Sequence, residues 1–209
     1  KGLLAFSFLQ VAAIRVFFGF IILTPVIYRN LSKINSSNFK HLMVVSYAGI
    51  FFPAFLFALA QTHISSALSG MLNSSATLFA LIVGILFYKN KPTPNQYIGV
   101  FIGFLGAIAL ITGGDFRVIF GTNSYAFFVL LATISYGVNV NEVRFRLHYM
   151  NGIQITALSF LLVGAPAGII LFFTDLNAAW HSEWFWYSLI AVLTLSGLGS
   201  VLSLFVFIT

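Results

Sequence analysis

Arg15 is the only full charge set well inside a long apolar run of this 209-residue sequence. At 3.6 residues per turn it lies roughly two helical turns from the outer end of that run. A guanidinium at that depth can bind a carboxylate or another anion through two parallel hydrogen bonds. It can equally snorkel to the headgroups or bond to backbone carbonyls, and depth alone leaves both readings open. A second set, Ser66, Ser69, Gly70, Asn73 and Thr77, recurs at three- and four-residue spacing and so shares one helix face. Asn73 can donate and accept hydrogen bonds, which suits a polar cavity wall. Small residues also let membrane helices pack closely, so packing is the competing role. A third set, Thr133, Tyr136, Gly137, Asn139 and Val140, forms a similar mixed surface, with Tyr136 and Asn139 favoured as cavity residues. Glu142 follows near the end of that run and reads as a partner for Arg144 or Arg146 ahead of any proton-carrying role. Ser196, Ser200 and Ser203 repeat the small-polar spacing in the last run. The candidate substrate-cavity residues are therefore Arg15, Ser69, Asn73, Thr77, Tyr136, Asn139 and Ser200.

Seven apolar runs must position these groups: Leu9 to Tyr28, Leu42 to Ala60, Ala67 to Tyr88, Tyr97 to Thr112, Tyr125 to Val143, Ile153 to Thr174 and Phe185 to Ile208. Most approach the ~20 residues a helix needs to cross the hydrocarbon core. Sixty per cent of residues are hydrophobic and 7% charged, with a mean hydropathy of +1.02. That composition leaves too little polar surface to clothe a water-soluble globule. The apolar character is continuous, without the alternation of barrel strands, so the expected class is all-α, a polytopic membrane helix bundle. The sequence has no cysteine, which excludes disulfides and thiolate metal sites. No His-Glu-x-x-His helix and no pair of carboxylates within the spans is present, so no catalytic residue, metal or cofactor is expected. A retinal photoreceptor would need a Lys buried in the last helix, and every Lys here is in a connection or at Lys1.

Charge sets the expected orientation. Arg29, Lys33 and Lys40 follow the first run, Lys89 and Lys91 the third, and Arg144 and Arg146 the fifth. Loops 29–41, 89–96 and 144–151 are therefore expected to be cytoplasmic. The other connections hold no Lys or Arg, or only Arg117 against Asp115, and should face outward. The net charge of +6 sits beside span ends, which is a membrane signal and not a nucleic-acid footprint. Trp180, Trp184, Trp186 and Tyr187 read as an interfacial aromatic belt. His63 and His148, at span ends, read as solvated. Gly99, Gly103, Gly106 and Gly113 read as a close helix-packing face.

Residues 10–18 (QVAAIRVFF) match residues 154–162 (QITALSFLL) without gaps, with identities at the Gln and the second Ala. By the charge argument the two segments enter the membrane from opposite sides. An odd repeat of five spans gives that relation, and inverted repeats are a signature of secondary transporters.

With these residues in place the chain resembles the EamA-like family of the drug/metabolite transporter superfamily. The resemblance rests on Ala13-Ile14-Arg15 opening the first run and on Ala67 to Gly113. That stretch reads as a long helix, a basic turn with Lys91-Pro92-Thr93, Gln96 and Gly99, then a helix with Gly103 and Gly106. It implies two inverted five-helix repeats around a central cavity exposed alternately to each side. In that scheme residues 1–121 are a first repeat lacking its first helix and 122–209 a second lacking its last two. The chain, opening on Lys1, is then expected to be spans two to eight of ten, with about fifty residues missing after Thr209 by the repeat argument. Two positions depart from the family pattern: Thr77 stands where Pro is common, removing an expected helix distortion, and Asn90 stands where Glu is common.

The function so implied is secondary transport in the cell (inner) membrane, exporting or exchanging a small metabolite, amino acid or amphipathic compound. The expected partners are a small-molecule substrate and the lipid bilayer. The alternative is a seven-helix membrane receptor or a non-transport membrane scaffold. Asp115, Asp175 and Glu183 lie in outer connections, so no deep carboxylate relay is expected, and coupling reads as facilitated exchange or as a property of further spans.

Overall fold

The computed structural model describes residues 1–112 and 124–208, with side chains given except at 104, 107, 108, 110–112 and 198–208. Every regular element among the described residues is helical. Helices α1 (Phe8–Asn30) and α2 (Ser36–Ser46) both begin at reciprocal caps. The Ser7 hydroxyl accepts from the Gln10 backbone N–H while the Ser7 N–H donates to the Gln10 side chain, and Asn35 and Asn38 do the same. First-turn N–H groups lack partners within a helix, and lipid offers them none.

The second span is not a simple helix. Between α2 and α3 (Phe52–Ala60) the chain widens to a π turn over Tyr47–Phe51, where the Phe52 N–H reaches Tyr47 O, five residues back. Pro53 has no N–H for the carbonyl of Gly49 and its ring would crowd it, so a wide turn is the expected accommodation. The third span breaks as well, into α4 (Ser66–Asn73) and α5 (Ala76–Tyr88). At the break Ser74 and Ser75 donate to carbonyls three residues back, and the Ser74 hydroxyl also bonds Met71 O. The helix distortion expected to be lost with Thr77 is thus present, supplied by two serines. Helix α5 stops where Lys89 turns left-handed at φ 52° and Asn90 N–H closes onto Gly84 O, a Schellman-type end. Helices α6 (Pro94–Thr112), α7 (Ser124–Arg146), α8 (Gly152–Phe173), the short α9 (Asn177–Trp180) and α10 (Phe185–Ile208) complete the order. All seven runs are therefore helical, and among the described residues five stretches are long and apolar enough to cross a membrane: Phe8–Lys33, Ser36–Ala60, Ser66–Tyr88, Ser124–Arg146 and Gly152–Phe173.

Neighbouring directions follow from the contacts. Helix α1 packs most extensively against α8. Gln10 Nε2 donates to Asp175 O, Phe17 lies over Gly168 and Phe20 over Gly164, and Leu23 and Ile27 meet Ala157. One index rises as the other falls, so the two helices are antiparallel. Small residues at 164–168 (GAPAG) leave a shallow surface in which both phenyl rings sit. Helices α5 and α7 run parallel, with Ala80 beside Gly137 and Tyr88 stacked on Phe145. The contacts of Tyr88 and His41 with Glu142, and of Asn38 Nδ2 with Lys33 O, gather the three basic connections at one end of the bundle.

Helix α7 is the hub, touching α2, α3, α4 and α5. Its buried residues Ala126, Val129, Thr133, Gly137 and Asn141 recur every three or four positions, one inward face. A Cβ on Gly137 would stand 2.9 Å from backbone atoms of Phe79. Close glycine packing therefore occurs at Gly137, Gly164 and Gly168, and not across the fourth run as expected. Gly99 and Gly106 face open space, Gly103 alone meets Leu78, and Gly113 lies outside the described residues. The reason is placement: among the described residues α6 packs lightly, chiefly on α4 and α5. His63 also departs from a merely solvated role, stacking on Tyr125 at 3.7 Å and 10°. Trp180, Trp184, Trp186 and Tyr187 are all exposed, as an interfacial belt would be.

Gly137→Val must move the backbone of α5, and it is expected to destabilise the bundle by about 1–3 kcal/mol. Gly106→Ala is expected to leave stability unchanged or slightly raised. Thermal unfolding of the two variants in detergent checks this contrast, and equal loss in both would contradict the packing described.

Candidate functional site

A cavity of about 430 Å³ opens between α1, the second span, α7, α8 and α10. Arg15 and Val16 of α1 form one wall; Val45, Gly49 and Ala54 a second; Tyr136, Asn139 and Val143 of α7 a third. Ile155, Thr156, Ser159 and Phe160 of α8 face them, with Leu195 and Ser196 of α10 beyond. The wide turn places Gly49 on this wall, and the Asn139 amide occupies the space a Cβ there would take, 2.6–2.8 Å away. Any side chain at 49 would push Asn139 into the cavity.

The polar groups here are underused. Asn139 Oδ1 and Ser159 Oγ are buried without a hydrogen-bond partner. Among the described residues the Arg15 guanidinium makes no ion pair, the one ion pair being His41–Glu142. Its backbone is held in place, since Ser196 Oγ donates to Arg15 O at 2.7 Å. Tyr136 lies close enough to feel the Arg15 charge and its ring packs on Phe57, 6.1 Å between centroids. A cation, an amide oxygen, the hydroxyls of Tyr136, Thr156 and Ser159, and an apolar wall thus face one volume. Such a set suits a small molecule with an anionic group and an apolar part.

The structure brings together Arg15, Tyr136 and Asn139 of the seven sequence candidates. Ser69 is buried apart from the cavity, within 3.4 Å of Gln61 Nε2. Asn73 and Thr77 are exposed and line no part of it. The α4/α5 face that turns inward carries Ser69, Leu72, Ser75 and Leu78. Asn73 and Thr77 are offset from that line by one position, about 100° around the helix. Ser200 lies on α10 with its side chain outside the described residues, as does Ser203.

Sequence reasoning missed Thr156 as a cavity group, and it gave Ser159 no role although its own internal match sets Ser159 opposite Arg15. It also gave Glu142 the wrong partners. The Glu142 carboxylate accepts from Tyr88 Oη and pairs with His41 Nδ1, whereas Arg144 and Arg146 are exposed. Arg144 is two residues on, near the opposite side of α7, and lies over the Phe145 ring. Asn141, also overlooked, is engaged through both hydrogens of its amide nitrogen: Nδ2 donates to Ala80 O at 2.7 Å and to Gly137 O at 2.8 Å.

A bundle of membrane-length apolar helices around a cavity lined by both polar and apolar side chains defines a multi-pass membrane protein with room for a small molecule. The model of the EamA-like transporter family matches residues 1–112, and the chain belongs to that family, within the drug/metabolite transporter superfamily. It is accordingly a multi-pass membrane transporter with a small-molecule substrate in a lipid environment. No curated protein matches the chain, and no solved structure does.

Ser159→Ala removes a hydroxyl that has no partner, so it is expected to leave thermal stability unchanged or raised by up to about 1 kcal/mol. Asn141→Ala removes one bond from α7 to α5 and one within α7, and is expected to cost about 1 kcal/mol or more. The same melting measurement on both variants separates a group kept for a ligand from one kept for the fold.

Proposed function

We propose that the chain carries the central cavity of a secondary transporter that exports or exchanges a small carboxylate-bearing metabolite by alternating access. The observation that carries this reading is the set of unspent polar groups, Arg15, Asn139 Oδ1 and Ser159 Oγ, around one cavity. An unpaired buried polar atom costs free energy that a ligand can recover. Arg15 takes the carboxylate, Tyr136 and Asn139 orient the remainder, and the Val16, Val45 and Phe160 surface takes its apolar part.

Two inverted repeats, 1–121 and 122–209, supply the moving bodies. Three features support the division. Ser7–Gln10 and Asn151–Gln154 are matching reciprocal caps at equivalent positions. The antiparallel packing of α1 on α8 suits segments of opposite entry. Arg15 and Ser159, paired in the internal match, face the same cavity. The membrane is the cell's inner membrane and loops 29–41, 89–96 and 144–151 are cytoplasmic, a reading supported by their Lys and Arg content and shared end.

Cells with and without the full-length protein are expected to differ in efflux of carboxylate-bearing metabolites. Arg15→Gln should lower that efflux about tenfold or more at equal membrane abundance, the loss of one charge-assisted bond of ~1.5–3 kcal/mol. Equal efflux of the corresponding carboxamides would overturn the role of Arg15. Residues 1–209 hold no cysteine, so once any cysteine elsewhere in the full-length protein is replaced, Ser37→Cys and Thr62→Cys report sidedness directly. An impermeant thiol reagent is expected to label the first only from the cytoplasm and the second only from outside.

A further inference from the structure

Glu142 is buried in the bundle with its side chain 9% exposed, while the ring of His41 that contacts it is 29% exposed. Its two oxygens engage different helices, Oε1 meeting His41 Nδ1 on α2 and Oε2 accepting from Tyr88 on α5. A carboxylate in a membrane bundle is costly unless it is partnered or used, and such groups recur in proton pathways. This one adjoins the cavity: Val45 is one turn beyond His41 on α2, and Asn139 and Val143 flank Glu142 on α7. Asn139 Oδ1 is one of the two unpartnered atoms of the cavity wall.

We propose that Glu142 and His41 form a proton-binding site that controls opening of the cavity toward the basic end of the bundle. The site holds one exchangeable proton. With the proton bound, imidazolium and carboxylate form a neutral pair that clamps α2 to α7, and Tyr88 ties α5 to the same carboxylate. When the proton leaves through the partly exposed His41 ring, an uncompensated carboxylate remains in a low-dielectric setting. That charge draws in water and the clamp weakens. Bound proton therefore favours closure at this end and proton loss favours opening, which supplies a coupling step inside the described spans.

The surrounding charges allow the cycle. Lys40 on α2, Lys89 after α5, and Arg144 and Arg146 on α7 are exposed at the same end. Arg146 is near enough to act on Tyr88 electrostatically. Helix α8, which packs on α2, has no titratable side chain, and α6, beside α5, has only Tyr97. No second carboxylate among the described residues of these elements competes for the proton.

The inference uses the transporter reading for its purpose, but its test needs no substrate. The full-length protein carrying Thr156→Cys in the cavity is reconstituted in vesicles, and an impermeant maleimide is applied from the basic-loop side. Labelling rates are taken as ratios to those of the same protein with Glu142→Gln, which cancels the pH dependence of the thiol. Between pH ~5.5 and ~8 the ratio is expected to rise about tenfold. With His41→Gln in place of Glu142→Gln as the reference, the same rise is expected, so either variant serves if the other fails to fold. A ratio that stays flat overturns the proton site while leaving the transport assays intact. A loss of efflux specificity with a pH-dependent ratio overturns the substrate reading and leaves the proton site standing.

Discussion

The bundle depends on one close approach, that of α5 to α7 at Gly137. A hydrogen in place of a side chain lets the backbone at Phe79 and Ala80 come within contact distance. Once it does, the parallel register of the two helices is settled for their whole length. One turn on, Asn141 reaches across to Ala80 O; further on, Tyr88 arrives beside Glu142 and Phe145. The opposite face of α7 is then free to present Tyr136 and Asn139 to the second span and the cavity. In lipid no hydrophobic force distinguishes one helix pairing from another, so fit of this kind has to choose the partner.

Polar groups fall into two populations. Those that hold the fold are hydrogen-bonded: the reciprocal caps at Ser7, Asn35 and Asn151, the two hydrogen bonds from Asn141 Nδ2, and Ser196 on Arg15 O. Those around the cavity are not, with Asn139 Oδ1 and Ser159 Oγ left without partners. A fold optimised for stability alone would replace the second group with apolar residues at little cost. Left without partners beside an Arg15 with no ion pair among the described residues, they are the groups on which the proposed binding volume rests.

Much of the architecture was legible in the sequence because lipid enforces a simple rule, long apolar runs separated by charge. Each run is a helix, and the three basic connections lie together. Arg15, Tyr136 and Asn139 were legible too, since polar groups stand out against apolar runs. Asn73 and Thr77 misled because spacing identifies a shared face without saying which face turns inward; there the neighbouring Leu72 and Leu78 mark the buried side. The fourth-run glycines misled for the same reason. The Glu142 pairing was invisible because it joins residues 41, 88 and 142, a conjunction set by the α5/α7 register and not by local sequence. The match of Arg15 with Ser159 did carry a signal, in that it paired two positions that share the cavity.

The wide turn at Tyr47–Phe51 divides the second span into halves that are rotated relative to a continuous α-helix. The half before it carries His41 and the half after it packs Ala54 and Ala58 against α1 and α8. The span therefore holds one residue of slack, located where its backbone borders the cavity. Side chains before and after the turn therefore point in directions that an unbroken α-helix would not give them, and Gly49 on the cavity wall falls within the turn itself.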